Sequence, residues 1–233
     1  RSLRLAPEKE PRPEEGGGND TNDANDEAAL RDVLAFLQTR TGRDFGWYKR
    51  GTILRRIGRR MQATGVDNLH PYLACLPPCP DEAGALLQDL LISVTNFFRG
   101  SDCFSALERH VPDLFAGKGP NDAVRVWVAA CATGEEAYSI AMLLSEFARS
   151  LEAPPLVQVF ATDLDAKAIQ AAREGLYPAV IEADVSKERL RRFFVKEHAG
   201  YRVRRELREM VLFAAHVVIK DSPFSRHDLV SCR

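Results

Sequence analysis

The stretch VRVWVAACATGEEAYSIAMLL, Val124 to Leu144, constrains the fold more tightly than any other part of the chain. It opens as an apolar strand, crosses a turn of small residues from Ala129 to Gly134, and continues as a helix from about Glu135 to Leu151. Parallel strands need a crossover connection, and a helix is the usual one, so a strand handed straight to a helix predicts a parallel sheet. LVQVFATDLD (Leu156 to Asp165) is a second strand ending in acids, followed by a helix from Ala166 to about Glu174. A charged helix around Ser186 to Val195 comes next. Short strands then follow in GYRVRREL (Gly200 to Leu207), MVLFAAHVV (Met210 to Val218) and DLVSC (Asp228 to Cys232). This alternation predicts a three-layer α/β domain.

Upstream the period changes. Leu30, Val33, Leu34 and Leu37 recur at three- and four-residue spacing, and YKRGTILRRIGRRMQ, PYLACL and DEAGALLQDLLISV read as further helices, the last with Asp81 as its N-cap. No strand pattern interrupts them. Residues 27–92 are therefore expected to form a small helical domain of four or so helices, and residues 93–233 the α/β domain. Residues 1–26 hold three prolines, three glycines and only two leucines. Such a segment buries too little apolar surface to offset its ordering entropy and reads as a disordered linker. Beginning without Met and stopping one residue after a strand, the chain is expected to be a piece of a longer polypeptide, its sheet C-terminally incomplete.

A formal net charge of -1 argues against a general polyanion binder. The five cysteines make no even framework and are expected as free thiols in a reducing, cytoplasmic setting. CLPPC (Cys75 to Cys79), with His70 nearby, falls short of the roughly four ligands a zinc site needs, so no metal is expected. No apolar run approaches the ~20 residues that span a bilayer.

In open α/β sheets, ligands bind at the carboxyl ends of the strands. Here those ends carry acids: Glu135 and Glu136 after the first strand, Asp163 and Asp165 at the second. Neither the G-x-G-x-x-G turn of dinucleotide folds nor a P-loop is present. Carboxylates at these positions would repel a phosphate. They suit a phosphate-free nucleoside bearing positive charge, with one acid accepting ribose hydroxyls and another facing an ammonium or sulfonium. S-adenosylmethionine has those groups. Acids placed at helix N-termini by the macrodipole are the alternative reading.

LLISVTNFFRG (Leu90 to Gly100), VWVAACATGEEAYSIAMLL, VFATDLDAKAIQAAREGLYP (Val159 to Pro178) and DLVSCR, in this order and spacing, resemble CheR-type chemoreceptor glutamate O-methyltransferases. YKRGTILRRIGRRM (Tyr48 to Met61) is similar to their N-terminal helical domain. The acidic, Pro/Gly-rich start and the LLISVTNFF wording most resemble the CheR portion of CheB/CheR fusion proteins. The resemblance implies a Rossmann-like class I S-adenosylmethionine-dependent methyltransferase domain with a small β-subdomain near 200–210. It also implies cytoplasmic methyl transfer to receptor glutamates, leaving S-adenosyl-L-homocysteine. By the same resemblance the cofactor-binding positions are Ser93, Thr95, Arg99, Ala130, Gly134, Glu136, Asp163, Val217 and Val218. Asp163 would hold the ribose and Glu136 the amino-acid end, while Arg99 would act catalytically by orienting the incoming carboxylate. Ser93 stands where some relatives have asparagine. Val217 follows His216 where many have His-Asn, which is expected to weaken a polar contact on the adenine side.

Arg55/Arg59 and Arg56/Arg60 form two i,i+4 rows on one helix, with Ile53, Ile57 and Met61 on the side expected to be buried. The residue pattern alone allows a solvated face with acids nearby. The resemblance implies that these four arginines dock on acidic, methyl-accepting receptor helices. In some relatives the β-subdomain grips a receptor's C-terminal peptide tether; here the loop before it, VKEHAG, is short, which favours a tether-independent enzyme. Two rivals remain. One is a non-catalytic module sensing S-adenosylmethionine or the receptor. The other is a nucleic-acid N-methyltransferase, which DSPF (Asp221 to Phe224) weakly suggests, although it precedes its strand rather than following it. Neither a nucleic-acid partner nor direct membrane insertion is expected.

Overall fold

The computed structural model describes residues 20–46, 48–91, 95–218, 221–222 and 224–232, with side chains from residue 25 onward. The chain divides into two compact units, Arg1–Ile92 and Ser93–Arg233.

The first unit is helical: α1 (Asp20–Thr41), α2 (Arg50–Thr64), α3 (Leu69–Cys75) and α4 (Pro80–Leu90). The apolar periodicity of the sequence becomes its core. Val33 and Leu37 of α1, Ile57 of α2, Tyr72 of α3 and Leu86 of α4 are fully buried. Each such aliphatic side chain contributes about 1.5–3 kcal/mol over an exposed one. Two boundaries differ from the sequence reading. Helix α1 starts at Asp20, inside the segment read as linker. Residues 1–19 of that linker lie outside the described residues. Helix α4 starts at Pro80, with Cys79 as N-cap and Asp81 already in the first turn. Proline suits that first position because its missing N–H has no intrahelical partner there.

The second unit runs α5 (Ser101–Phe115), β1 (Ala123–Ala129), α6 (Glu135–Ala148), β2 (Leu156–Asp163), α7 (Ala166–Glu174), β3 (Leu176–Tyr177), a 3-10 turn at Ala179–Ala183, α8 (Lys187–Phe193), β4 (Phe194–Glu197), β5 (Gly200–Val203), α9 (Arg205–Arg208), β6 (Val211–Ala215) and β7 (Leu229–Cys232). Strands β6, β2, β1 and β7 form, in that order, an all-parallel sheet. Ala129 pairs with Thr162 and with Cys232, and Asp163 with Ala215, so the carboxyl ends of all four strands finish level. One face, through Val124, Val126, Val128, Val159 and Ala161, packs with α6 into the main core. The other face carries Trp127, Phe160, Leu212 and Val230; Phe224 stacks on Phe160 at 5.5 Å, while Leu212 and Val230 stay more than half exposed. Of the three layers expected, the described residues build the sheet and one helical layer against the Val126 face.

The β-subdomain is larger and earlier than the sequence suggested. It is an antiparallel sheet ordered β3-β5-β4, spanning 176–203. The strand read through Leu207 ends at Val203, because alternation fails in Arg204–Arg208 and those residues close a helical turn. Gly200 is obligatory in the hairpin: its φ is 141°, and a Cβ there would lie 2.0 Å from the Tyr177 carbonyl oxygen.

Candidate functional site

The turn between β1 and α6 is built by backbone strain held in place. Ala130, Ala132 and Gly134 all have positive φ, at 57°, 48° and 94°. For alanine this conformation costs roughly 1–2 kcal/mol per residue. Two bonds from β2 offset the cost: the Cys131 N–H donates to the Thr162 carbonyl at 2.9 Å, and the Ala132 N–H to Asp163 Oδ2 at 2.7 Å. Tyr177, from β3, donates its hydroxyl to the Thr133 carbonyl at 2.7 Å. Gly134 then starts α6 in a space too small for any side chain.

Asp163 ends β2 and anchors this turn. Its Oδ2 takes the Ala132 bond and its Oδ1 accepts from the Asp165 N–H at 2.8 Å. A carboxylate offers roughly four acceptor positions, so capacity remains for two hydroxyls. The adjacent acids diverge. Glu135 turns inward, accepting the Thr133 hydroxyl at 2.7 Å; burial pushes its carboxyl upward and the Thr133 bond only partly offsets this. Glu136 instead borders an open cavity of about 340 Å³ beside β7, and accepts from Ser231 Oγ at 2.5 Å. Cys131 is buried behind the turn, which raises its thiol pKa and keeps it protonated, so it offers no nucleophile.

Thr95 to Arg99 is drawn onto the start of α6. Phe97 is buried against Tyr177 and Phe194, edge to face at 4.8 and 5.6 Å. The Phe98 N–H donates to Ser139 Oγ at 3.1 Å, and Ser139 donates to the Glu135 carbonyl at 2.7 Å. Thr95 is half-buried, and Arg99 is exposed at the end of this tethered segment. Ser93 lies outside the described residues. At the end of β6, the His216 N–H donates to the Asp163 carbonyl at 3.0 Å, which brings Val217 next to the acid. The Val217 N–H is itself spent on Asp221 Oδ2 at 2.7 Å, so no backbone donor replaces an asparagine amide there. Val218 follows, half exposed.

Ala130, Gly134, Glu136 and Asp163 thus gather around one turn, with Val217 beside it. Sequence reasoning missed Ser231 and Tyr177, which brace this turn. Alternation along DLVSC puts Ser231 on the face of Leu229, but only the sheet order turns that face toward Glu136.

The four arginines of α2 behave unequally. Arg59 pairs with Asp89, and Arg60 forks onto Glu82 with bonds of 3.0 and 2.5 Å. Among the described residues Arg55 and Arg56 make no ion pair, and Arg56 Nε is buried without an acceptor. No group of three or more His, Cys, Asp or Glu among the described residues is arranged to hold a metal ion, and no described helix is long and apolar enough to cross a membrane.

Comparison with known proteins matches residues 93–233 to the family description "CheR methyltransferase, SAM binding domain" and residues 28–91 to "CheR methyltransferase, all-alpha domain". A chemotaxis protein methyltransferase of Salmonella typhimurium is 32% identical over 195 residues, covering 81% of this chain and 65% of that protein. Its Escherichia coli counterpart is 32% identical over 194 residues, with the same two shares. An uncharacterized 104.1 kDa protein of Rhodobacter capsulatus is 39% identical over 206 residues, 88% of this chain but 22% of that protein. The chain therefore spans less than two thirds of the length of these relatives.

Proposed function

The chain belongs to the CheR methyltransferase family, and from that premise we propose that it methylates glutamate side chains on the cytoplasmic helices of a chemoreceptor. One observation carries the reading. The two carboxylates, Asp163 at the end of β2 and Glu136 at the start of α6, keep acceptor capacity after their internal bonds, at a turn where their charge would repel a phosphate. That pair of acceptors fits S-adenosylmethionine, the cofactor of this family's second domain. When bound, S-adenosylmethionine supplies a methyl group made electrophilic by its sulfonium, and S-adenosylhomocysteine is what remains.

The chain's own residues hold and align. Asp163 accepts the ribose hydroxyls, and its bond to the Ala132 N–H keeps that carboxylate fixed to the turn. Glu136 accepts from the ammonium of the amino-acid end, oriented by Ser231. Thr95 contributes a polar contact and Arg99 draws in the receptor carboxylate. That carboxylate is already a competent nucleophile, so no general base is required and positioning supplies most of the rate. Arg55 and Arg56 are the first points of contact for acidic receptor helices, with half-exposed Arg59 beside them. The match to 22% of a 104.1 kDa relative supports a longer parent polypeptide, for which a fused CheB-like methylesterase is our reading.

Calorimetry with S-adenosylmethionine and S-adenosylhomocysteine, alongside transfer of labelled methyl to a receptor cytoplasmic fragment, tests this. Saturable binding with base-labile label on receptor glutamates is expected. Failure to bind either compound would sink the cofactor site. Binding without label on the receptor would favour a sensor module.

A further inference from the structure

At the far end of α6 from the carboxylate pair, four arginines surround a second cavity, of about 320 Å³. Arg149 follows α6, Arg191 and Arg192 close α8, and Arg204 precedes α9. Arginines nearby are neutralised: Arg189 pairs with Glu146 at 2.8 Å, Arg202 with Glu197 at 2.6 Å and Arg205 with Glu209 at 2.6 Å. Among the described residues, none of the four around the cavity has a carboxylate within ion-pair distance. Three of the guanidiniums are held all the same. Arg204 Nη2 donates to the Arg191 carbonyl and Arg191 Nε to the Lys187 carbonyl, both at 3.3 Å. Arg192 lies over the buried Phe193 ring, 5.2 Å from its centroid, and its buried Nε meets no acceptor. The lining holds one carboxylate, that of Glu206.

Like charges gathered this way repel one another unless something of opposite sign lies between them. A buried guanidinium N–H without an acceptor adds a desolvation cost that a ligand oxygen would remove. Arginine forks match the geometry of phosphate oxygens and bind them in pairs. The volume is at the low end for small organic ligands, larger than a bare phosphate needs and too small for a folded segment. Glu206 would repel an anion but accepts from a hydroxyl or amino group.

We propose that this cavity binds a phosphorylated small molecule of the sugar-phosphate or nucleoside-phosphate class, with its phosphate on the arginines and a hydroxyl or amino group on Glu206. The site is not the methyl-donor site. The 14 residues of α6 put roughly 20 Å between the two at 1.5 Å per residue, and S-adenosylmethionine carries no phosphate.

The test titrates the whole chain at fixed ionic strength with ribose 5-phosphate, inorganic phosphate and ribose. AMP is added separately, with S-adenosylhomocysteine saturating so that the nucleoside site is filled. Ribose 5-phosphate or AMP should bind saturably and at least about tenfold more tightly than inorganic phosphate, and ribose should not bind. Arg192→Gln and the exposed Arg149→Gln should each weaken that binding about tenfold, with S-adenosylhomocysteine affinity and far-UV circular dichroism unchanged. If Arg192→Gln fails to fold, Arg149→Gln carries the test alone. Inorganic phosphate binding as tightly as the organic phosphates would overturn the small-molecule assignment. Unsaturable, salt-screened binding of every phosphate probe would overturn the site.

Discussion

Gly134 shows how much of the site rests on single positions. Its φ is 94°, and a Cβ there would lie 2.9 Å from Ala172 Cβ and 3.0 Å from Phe213 Cζ. Gly134→Ala therefore combines backbone strain with overpacking, about 2–4 kcal/mol together. The first turn of α6 would have to shift, taking Glu136 with it. We expect lower stability in denaturant melts and a loss of S-adenosylhomocysteine affinity in calorimetry; unchanged affinity would mean that the turn does not position the ligand. The need for small residues here was legible in the sequence, and so was the acidic character of the site. The division of labour between the two acids was legible only in part. Charge logic pointed to the pair and the family resemblance singled out Glu136, but nothing local could show that Glu135 turns onto Thr133 or that Ser231 reaches Glu136 from 95 residues away.

At the scale of elements, α2 and α4 are joined by an ionic network that helical periodicity could not reveal. Arg60 and Glu82 are 22 residues apart, and Tyr72 of α3 adds its hydroxyl to Glu82 at 2.6 Å. Apolar spacing predicted the helices because each one follows from its own residues. Pairing between helices depends on how they pack, which the spacing does not encode. Burial alone would raise the Glu82 carboxyl, but the bonds from Arg60 and Tyr72 outweigh it and hold it below the ordinary range. Its contribution to stability is thus complete above about pH 4.3, the unfolded value, and is lost as pH falls through the lower folded value. Glu82→Gln should reproduce the loss at neutral pH, by about 1–3 kcal/mol, and should flatten the acid limb of helical-unit stability followed by circular dichroism. An acid limb identical to that of the parent protein would show that Glu82 is not responsible. The same network changes how the basic helix should be probed, since reversing Arg60 would damage the fold before it tested docking.

Over the whole molecule, strand order is the part of the fold that local pattern leaves open: alternation marks strands but not neighbours, so nothing local places β7 rather than β6 beside β1. Charge follows the same logic. Total composition balances to -1, so the molecule as a whole exerts little long-range pull on an acidic receptor. Any electrostatic attraction must come from local imbalance, and under the docking proposed above it comes from α2, where no described carboxylate pairs with Arg55 or Arg56. Fields from surface charges such as Arg55 decay over about 10 Å at 0.1 M salt, whereas bonds to a ligand held in the turn would be screened far less. Raising salt from about 50 to 300 mM should therefore lower kcat/KM for a receptor fragment roughly fivefold while leaving kcat and the S-adenosylhomocysteine Kd nearly constant. Arg55→Glu with Arg56→Glu should lower kcat/KM at low salt and remove most of the remaining salt dependence. A double variant that keeps the parent salt slope would move the docking surface off α2, and a salt-dependent cofactor Kd would place the screened charges in the methyl-donor site instead.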